Sequence, residues 1–187
     1  MLSPARSTSP DEQAWIASAL RGDRQAFGEL VLRHRQGVVN VVYRMCGDAA
    51  LAEEAAQEAF LRAWQNLGRY NPRFAFRSWV YRIALNVAVD ALRRERPTTA
   101  LDAEPLASSA ESPEAWLERK QQAEQVRRAV LDLAPASRAV LVLREYEALS
   151  YHEIAEALDI PVGTVMSRLN YARGQLRRTL SRHPEER

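Results

Sequence analysis

Apolar positions recur along this chain at three- and four-residue spacing and nowhere alternate strictly, so the pattern predicts helices and no half-buried strands. The first predicted helix runs from about Asp11 to Leu20. The second opens after Asp23, whose carboxylate suits a free helix N-terminus. It carries Phe27, Leu30, Val31, Val38, Val41, Val42 and Met45 on one stripe until Gly47 stops it. Asp48 caps a third helix, Ala49 to about Leu67, with Leu51, Ala55, Ala59, Phe60, Ala63, Trp64 and Leu67 turned inward. After a loop holding Gly68, Asn71 and Pro72, a fourth helix from about Phe76 to Arg94 buries Trp79, Val80, Ile83 and Val87, and Pro97 ends it.

The pattern then breaks. Thr98 to Pro113, with Pro105, Ser108, Ser109 and Ser112, has the small, polar, proline-bearing composition of a linker. Periodicity resumes over Glu114–Leu133, Ala136–Tyr146 and a final pair, Tyr151–Leu158 and Val162–Thr179. The expected fold is all-α: two small helical domains joined by a flexible linker. The boundaries are an N-terminal extension and first helix over 1–22, one domain over 23–97, a linker over 98–118, a second domain over 119–182 and a tail over 183–187.

A hydrophobic share of 47% against 27% charged residues suits a chain that buries a core, and no stretch is long and apolar enough for a membrane span. Met1 to Pro10 lacks the apolar centre of a signal peptide, so the chain reads as cytoplasmic, with no direct membrane insertion. One cysteine, Cys46, rules out an internal disulfide; it follows Val41, Val42 and Met45 and reads as a buried structural thiol. His34, His152 and His183 are too scattered to suggest zinc, and no metal or cofactor is expected. The HExxH, phosphate-cradling Gly-rich and Gly-x-Ser-x-Gly patterns are all missing, so the chain does not read as an enzyme.

A net charge of +2 is uninformative, but its distribution is not. Six arginines (73, 77, 82, 93, 94 and 96) stand against two acids between Arg73 and Arg96, and five acids with no base follow between Thr98 and Glu118. From Ile160 to Pro184 there are arginines at 168, 173, 177, 178 and 182 and no acid. The second basic block belongs to a helix-turn-helix pattern. Ser150 and Glu153 form a capping box, Ile154, Ala155 and Leu158 face inward, and Ile160 to Gly163 make the connection. The following helix would present Thr164, Ser167 and Arg168 to a DNA major groove, with Arg173, Arg177 and Arg178 nearer backbone phosphates. An ordinary helical hairpin with solvated charge shares parts of this pattern, but not the capping box, small inward residue and acid-free basic helix together.

The run SYHEIAEALDIPVGTVMSRLNYARGQL, from Ser150 to Leu176, resembles the region 4 domain of extracytoplasmic-function (group 4) sigma factors. Ala52 to Trp64 resembles the same family's region 2.2, and Phe76 to Asn86 its region 2.4, in the family's order. The resemblance covers most of residues 24–96 and 124–178 and implies a sigma factor that guides RNA polymerase to promoters. Residues 23–97 would be region 2 and residues 119–182 region 4.

By this resemblance Glu53, Glu54, Gln57 and Glu58 would dock on the coiled coil of the polymerase beta-prime subunit. A solvated polar face accounts equally well for these four residues taken alone. Ala55 and Ala56 stand where larger aliphatics are usual. The minus-10 element would be held as a single strand by Tyr70, Asn71, Arg73, Phe74, Arg77, Arg82, Asn86 and Arg93. Stacking on an aromatic ring, worth about 1–3 kcal/mol per base, favours the unpaired state that melting without ATP requires. Phe74, Phe76, Trp79 and Tyr81 fit the core as well as a contact, Trp79 above all, and Tyr70 reads as core or contact. The minus-35 duplex would meet Thr164, Met166, Ser167, Arg168, Asn170, Tyr171 and Arg173; Met166 replaces a common Arg and removes a guanine contact. The implied partners are core RNA polymerase, through the beta-prime coiled coil and beta flap, promoter DNA both duplex and single-stranded, and an anti-sigma factor. The acidic linker sits where the family threads a segment through the polymerase cleft, and a solvated spacer fits it as well. The rival function is a stand-alone helix-turn-helix regulator, for which no long dimerisation seam is evident.

Overall fold

A computed structural model describes residues 9–94 and 113–181. Among them are eight α-helices and no strand: α1 (Pro10–Leu20), α2 (Arg24–Cys46), α3 (Ala49–Gln65), α4 (Phe76–Arg94), α5 (Pro113–Leu131), α6 (Pro135–Glu145), α7 (Tyr151–Leu158) and α8 (Val162–Ser181). The predicted stop at Pro97, the linker over 98–112 and the tail over 183–187 lie outside the described residues.

The helix starts follow from local chemistry. Ser9 caps α1, with Pro10 in the first turn, where its missing N–H costs nothing. Asp23 Oδ1 accepts from the N–H groups of Gln25 and Ala26 at 2.9 and 3.1 Å, and Asp48 from Leu51 at 2.9 Å. Gly47 closes α2 in the left-handed conformation, φ +79°, and a Cβ there would also lie 2.6 Å from Leu131 of α5. α3 ends at Gln65 instead of reaching Leu67, because Asn66 turns its amide back onto the Arg62 carbonyl at 2.8 Å and Leu67–Arg69 tighten into a 3₁₀ turn. α5 begins at Pro113, one residue before the predicted start at Glu114, so residues 113–118, which the domain boundaries place in the linker, are helical.

α1 docks on α2 through a buried carboxylate. Glu12, 6% exposed, meets Arg33 at 2.9 Å and His34 at 3.3 Å. Burial outweighs the Glu12 attraction and holds His34 below the usual histidine range.

The chain's two halves share one continuous core, centred on the second half of α2, where Val38, Val41, Val42 and Met45 are fully buried. α2 packs against α1, α3, α4, α5 and α6. Arg138 of α6 seals this junction. Its guanidinium donates to the carbonyls of Met45, Leu131 and Leu133, and Arg127 donates to that of Gly47 at 3.2 Å, so second-half arginines satisfy the carbonyl end of α2. Cys46, expected to be buried, is half-buried beside Ala88. Val31, Trp64, Trp79 and Ile83, also expected inside, are half-buried at the edge of the core. No described helix is long and apolar enough to cross a membrane.

Candidate functional site

Three surfaces carry the residues singled out by sequence. The first lies between α2 and α3, where an apolar groove of about 500 Å³ is lined by Phe27, Val31, Ala56, Phe60, Leu61 and Trp64. The Phe27 and Trp64 rings meet at 5.0 Å between centroids, and Leu61 is 58% exposed. Glu53 and Gln57 sit on the rim with Arg24 and Arg35, and Glu53 pairs with Arg35 at 2.6 Å. Glu54 is exposed on the adjoining strip, where Glu58 holds Arg62 at 2.7 Å. The acids were legible as one helix face; the groove beside them was not, because it depends on how far α2 and α3 part. The adjacent pair Phe60-Leu61 was the available signal, since one inward stripe cannot bury both.

The second surface is the loop 70–75 with α4. Asn71 Oδ1 accepts from the Arg73 N–H at 3.0 Å and the Asn71 carbonyl from the Phe74 N–H at 3.1 Å, an Asx-type turn that Pro72 favours. Tyr70 is 7% exposed, its ring against Phe76 and Trp79 at 5.5 and 5.3 Å, and its hydroxyl donates to the Phe74 carbonyl at 2.6 Å. Burial pushes that hydroxyl up to about 12. Tyr70 thus braces the turn and does not offer a stacking face, whereas Phe74, 40% exposed next to exposed Arg73, does. Arg82, Asn86 and Arg93 follow at four- and seven-residue spacing along one face of α4, with Asn86 and Arg93 exposed.

Arg77, expected at the minus-10 strand, forms a half-buried ion pair with Glu153 of α7, at 2.6 Å. Arg82 reaches Asp159 at 2.7 Å, and the Tyr81 hydroxyl donates to Glu147 at 2.6 Å. Burial pulls the Glu153 carboxyl upward, but hydrogen bonds from Arg77 and the Ser150 cap hold it below the ordinary carboxylate range. Burial and the Glu147 bond push the Tyr81 hydroxyl far up. α4 therefore packs against the helix-turn-helix, and no sequence signal linked these residues, which lie 66 to 77 positions apart.

The third surface is α7 with α8. The capping box forms as read: Ser150 Oγ accepts from the Glu153 N–H at 3.2 Å and Glu153 Oε2 from the Ser150 N–H at 2.8 Å. Ile154, Val165, Leu169 and Ala172 bury the helix pair, and Asp159 makes the turn at φ +54°. Met166 and Tyr171 are 48% and 52% exposed, Asn170 and Ser167 are exposed, and Thr164 and Arg168 are half-buried. Arg173 is held by Glu145 of α6 at 2.6 Å. It lies two turns beyond Met166, so Arg173→Ala is expected to weaken duplex binding equally across sequences and to lower the salt slope by about 1, read by anisotropy titrations at several salt concentrations.

Comparison with known proteins adds to this geometry. Residues 30–98 match the family described as Sigma-70 region 2, and residues 123–176 that described as Sigma-70, region 4. The chain is 37% identical over 184 residues to the RNA polymerase sigma-H factor of Pseudomonas aeruginosa, covering 92% of this chain and 95% of that protein. It is 34% identical over 176 residues to the ECF RNA polymerase sigma factor SigW of Bacillus subtilis, covering 88% and 94%. Among solved structures it resembles CnrH in complex with the cytosolic domain of CnrY, with a TM-score of 0.70 and 28% identity over 92% of this chain and 99% of that one.

Proposed function

The chain belongs to the sigma-70 family and is a sigma factor for transcription initiation, and on that premise we propose that it is an extracytoplasmic-function factor of the group 4 type, acting on core RNA polymerase in the cytoplasm. Region 2 spans 23–97 and region 4 spans 119–182, extended backward by the first turns of α5. The observation that carries the reading is the joint presence, in family order, of an apolar groove beside the polar strip of α3, an aromatic loop with a basic helix, and a capped helix-turn-helix.

The groove and the strip of Glu53, Glu54, Gln57 and Glu58 receive the polymerase beta-prime coiled coil: apolar contact in the groove supplies affinity, and the rim charges set orientation and encounter rate. Phe74 stacks on an unpaired minus-10 base, Asn71 and Asn86 read base edges, and Arg73, Arg82 and Arg93 hold the strand's phosphates. Tyr70 keeps the turn in shape. Melting follows from this preference, because every base captured outside the duplex offsets part of the unpairing cost. Met166 and Tyr171 make apolar contact in the minus-35 major groove, Asn170 reads an adenine edge, and Thr164, Ser167, Arg168 and Arg173 fix the helix on the backbone. An anti-sigma factor restrains the protein by covering the groove and region 4, and the beta flap binds region 4 in the holoenzyme.

Promoter-dependent run-off transcription with bacterial core polymerase tests the proposal. Discrete start sites that appear only when the chain is added are expected. If core polymerase gains no initiation while the chain alone footprints duplex DNA, the protein is a stand-alone regulator.

A further inference from the structure

The buried residues of α8 fix which way its other side chains point. Val165, Leu169 and Ala172 face the core, so Met166 and Asn170, one turn apart, are turned outward together, and Gly174 lies a further turn along the same side. The guanidinium groups of α8 are engaged or lie off this face. Arg173 is held by Glu145 at 2.6 Å, Arg178 donates to Gln175 at 2.8 Å, Arg168 is half-buried on the flank, and Arg177 stands two turns beyond Asn170. The Ser167 hydroxyl donates to the Thr164 carbonyl at 3.0 Å. Asn170 is exposed, and its amide keeps donor and acceptor unengaged by any described residue, beside a Met166 that is 48% exposed.

The chemistry of this pair selects bases. A side-chain amide matches the N6 donor and N7 acceptor of adenine in the major groove, whereas guanine offers two acceptors there and needs two donors. Met166 can give only apolar contact, which suits the C5-methyl of thymine and leaves guanine unsatisfied. One helical turn advances about 5.4 Å and one base step about 3.4 Å, so the methyl lies within about two base pairs of the adenine.

Asn170 is short, and to reach a base edge α8 must seat deep in the groove. Gly174 supplies the clearance. Glycine is a poor helix former, and Gly37 and Gly47 have reasons within the chain: the Tyr81 hydroxyl above one and a φ of +79° at the other. Gly174 has neither, since its φ is not positive and a Cβ there would have nothing within 4 Å. The missing side chain leaves the helix bare on the face that carries Asn170, where a DNA backbone would meet it.

We infer that α8 beds closely on DNA over Gly174, and that this chain reads its minus-35 element as A·T pairs: Asn170 on adenine N6 and N7, Met166 on a neighbouring thymine methyl, and no side chain on guanine. The inference rests on the minus-35 reading given above and deepens it by naming the bases and adding Gly174 as a specificity-determining position.

The test uses the complex of this chain with core polymerase to select and footprint binders from a pool of random duplexes. Affinity for the strongest binder is then measured with single groups removed inside the upstream footprint. Replacing adenine by 7-deazaadenine, which lacks N7, is expected to weaken wild-type binding about tenfold and to leave Asn170→Ala unchanged. Replacing thymine by deoxyuridine, which lacks the methyl, is expected to weaken wild-type binding about fourfold and to leave Met166→Ala unchanged. Gly174→Ala is expected to raise the melting temperature, because alanine favours the helix, and yet to bind the selected duplex about tenfold more weakly, with affinity for a scrambled duplex as in wild type. Wild-type binding indifferent to both base replacements, an upstream element whose essential pairs are G·C, or a Gly174→Ala protein with native preference overturns the inference and leaves the sigma reading standing. A complex that selects no sequence and starts no transcript removes the promoter-binding reading, and this inference with it.

Discussion

A chain carrying Glu54→Arg, Gln57→Ala and Glu58→Arg is expected to fold normally and to bind core polymerase at least about a hundredfold more weakly, roughly 2.7 kcal/mol. Folding should survive because Glu54 and Gln57 are exposed and Glu58 gives up only an i,i+4 pair with Arg62, worth about 0.3–0.5 kcal/mol. Glu53 is left in place, since its 2.6 Å tie to Arg35 joins α3 to α2 and its loss would blur a docking defect with a folding one. The effect is large because two reversed charges would face a partner surface selected for acids, where like-charge contacts cost several kcal/mol. Binding of labelled core polymerase, with circular dichroism and a melting curve on the same preparation, checks it. Native affinity in the folded variant would remove the acidic strip from the interface and leave the apolar groove as its only candidate. Leu61→Asp, on the groove and 58% exposed, would then be the informative second substitution.

How much of this was written in the sequence depends on the range of the interactions involved. The helices were legible to within a few residues because their signals are local: Asp23, Asp48 and Ser150 cap within three positions, Gly47 stops α2 by its own φ, and the stripe of α2 has a clear period. The helix-turn-helix was legible for the same reason. The division of labour within the loop was not. Tyr70 and Phe74 are both aromatics beside a turn, and only the packing of Tyr70 against Phe76 and Trp79 makes one a brace and leaves the other exposed. Least legible was the meeting of the two halves. Arg138 carries no local signal that sets it apart, yet it is 7% exposed and satisfies carbonyls from two helices. Arg77 was assigned to DNA on the family pattern, and no local signal pointed to its pair with Glu153.

The loop offers the other large expected effect, and a pair of substitutions two positions apart isolates it. Phe76 is fully buried, with the rings of His34, Tyr70 and Trp79 at 5.5, 5.5 and 5.6 Å, so Phe76→Ala should cost about 3–5 kcal/mol. Set against a total stability of about 5–15 kcal/mol for a domain, that leaves region 2 partly unfolded near 37 °C and lowers every activity together. Phe74→Ala removes a ring that is 40% exposed and keeps the backbone carbonyl that accepts from Tyr70, so its stability should change by no more than about 0.5 kcal/mol. Its effect should fall on the strand alone: about 1–3 kcal/mol, or roughly 5- to 150-fold, in affinity for the unpaired minus-10 segment. Run-off from duplex templates should drop accordingly. Because the lost contact works by favouring the unpaired state, a template already mismatched over the minus-10 segment should recover most initiation for Phe74→Ala and none for Phe76→Ala. Polymerase binding should stay native in the first and fall in the second. Undiminished run-off from a duplex template by a folded Phe74→Ala protein would take base capture away from this ring and hand it to Asn71, Arg73 and the exposed face of α4.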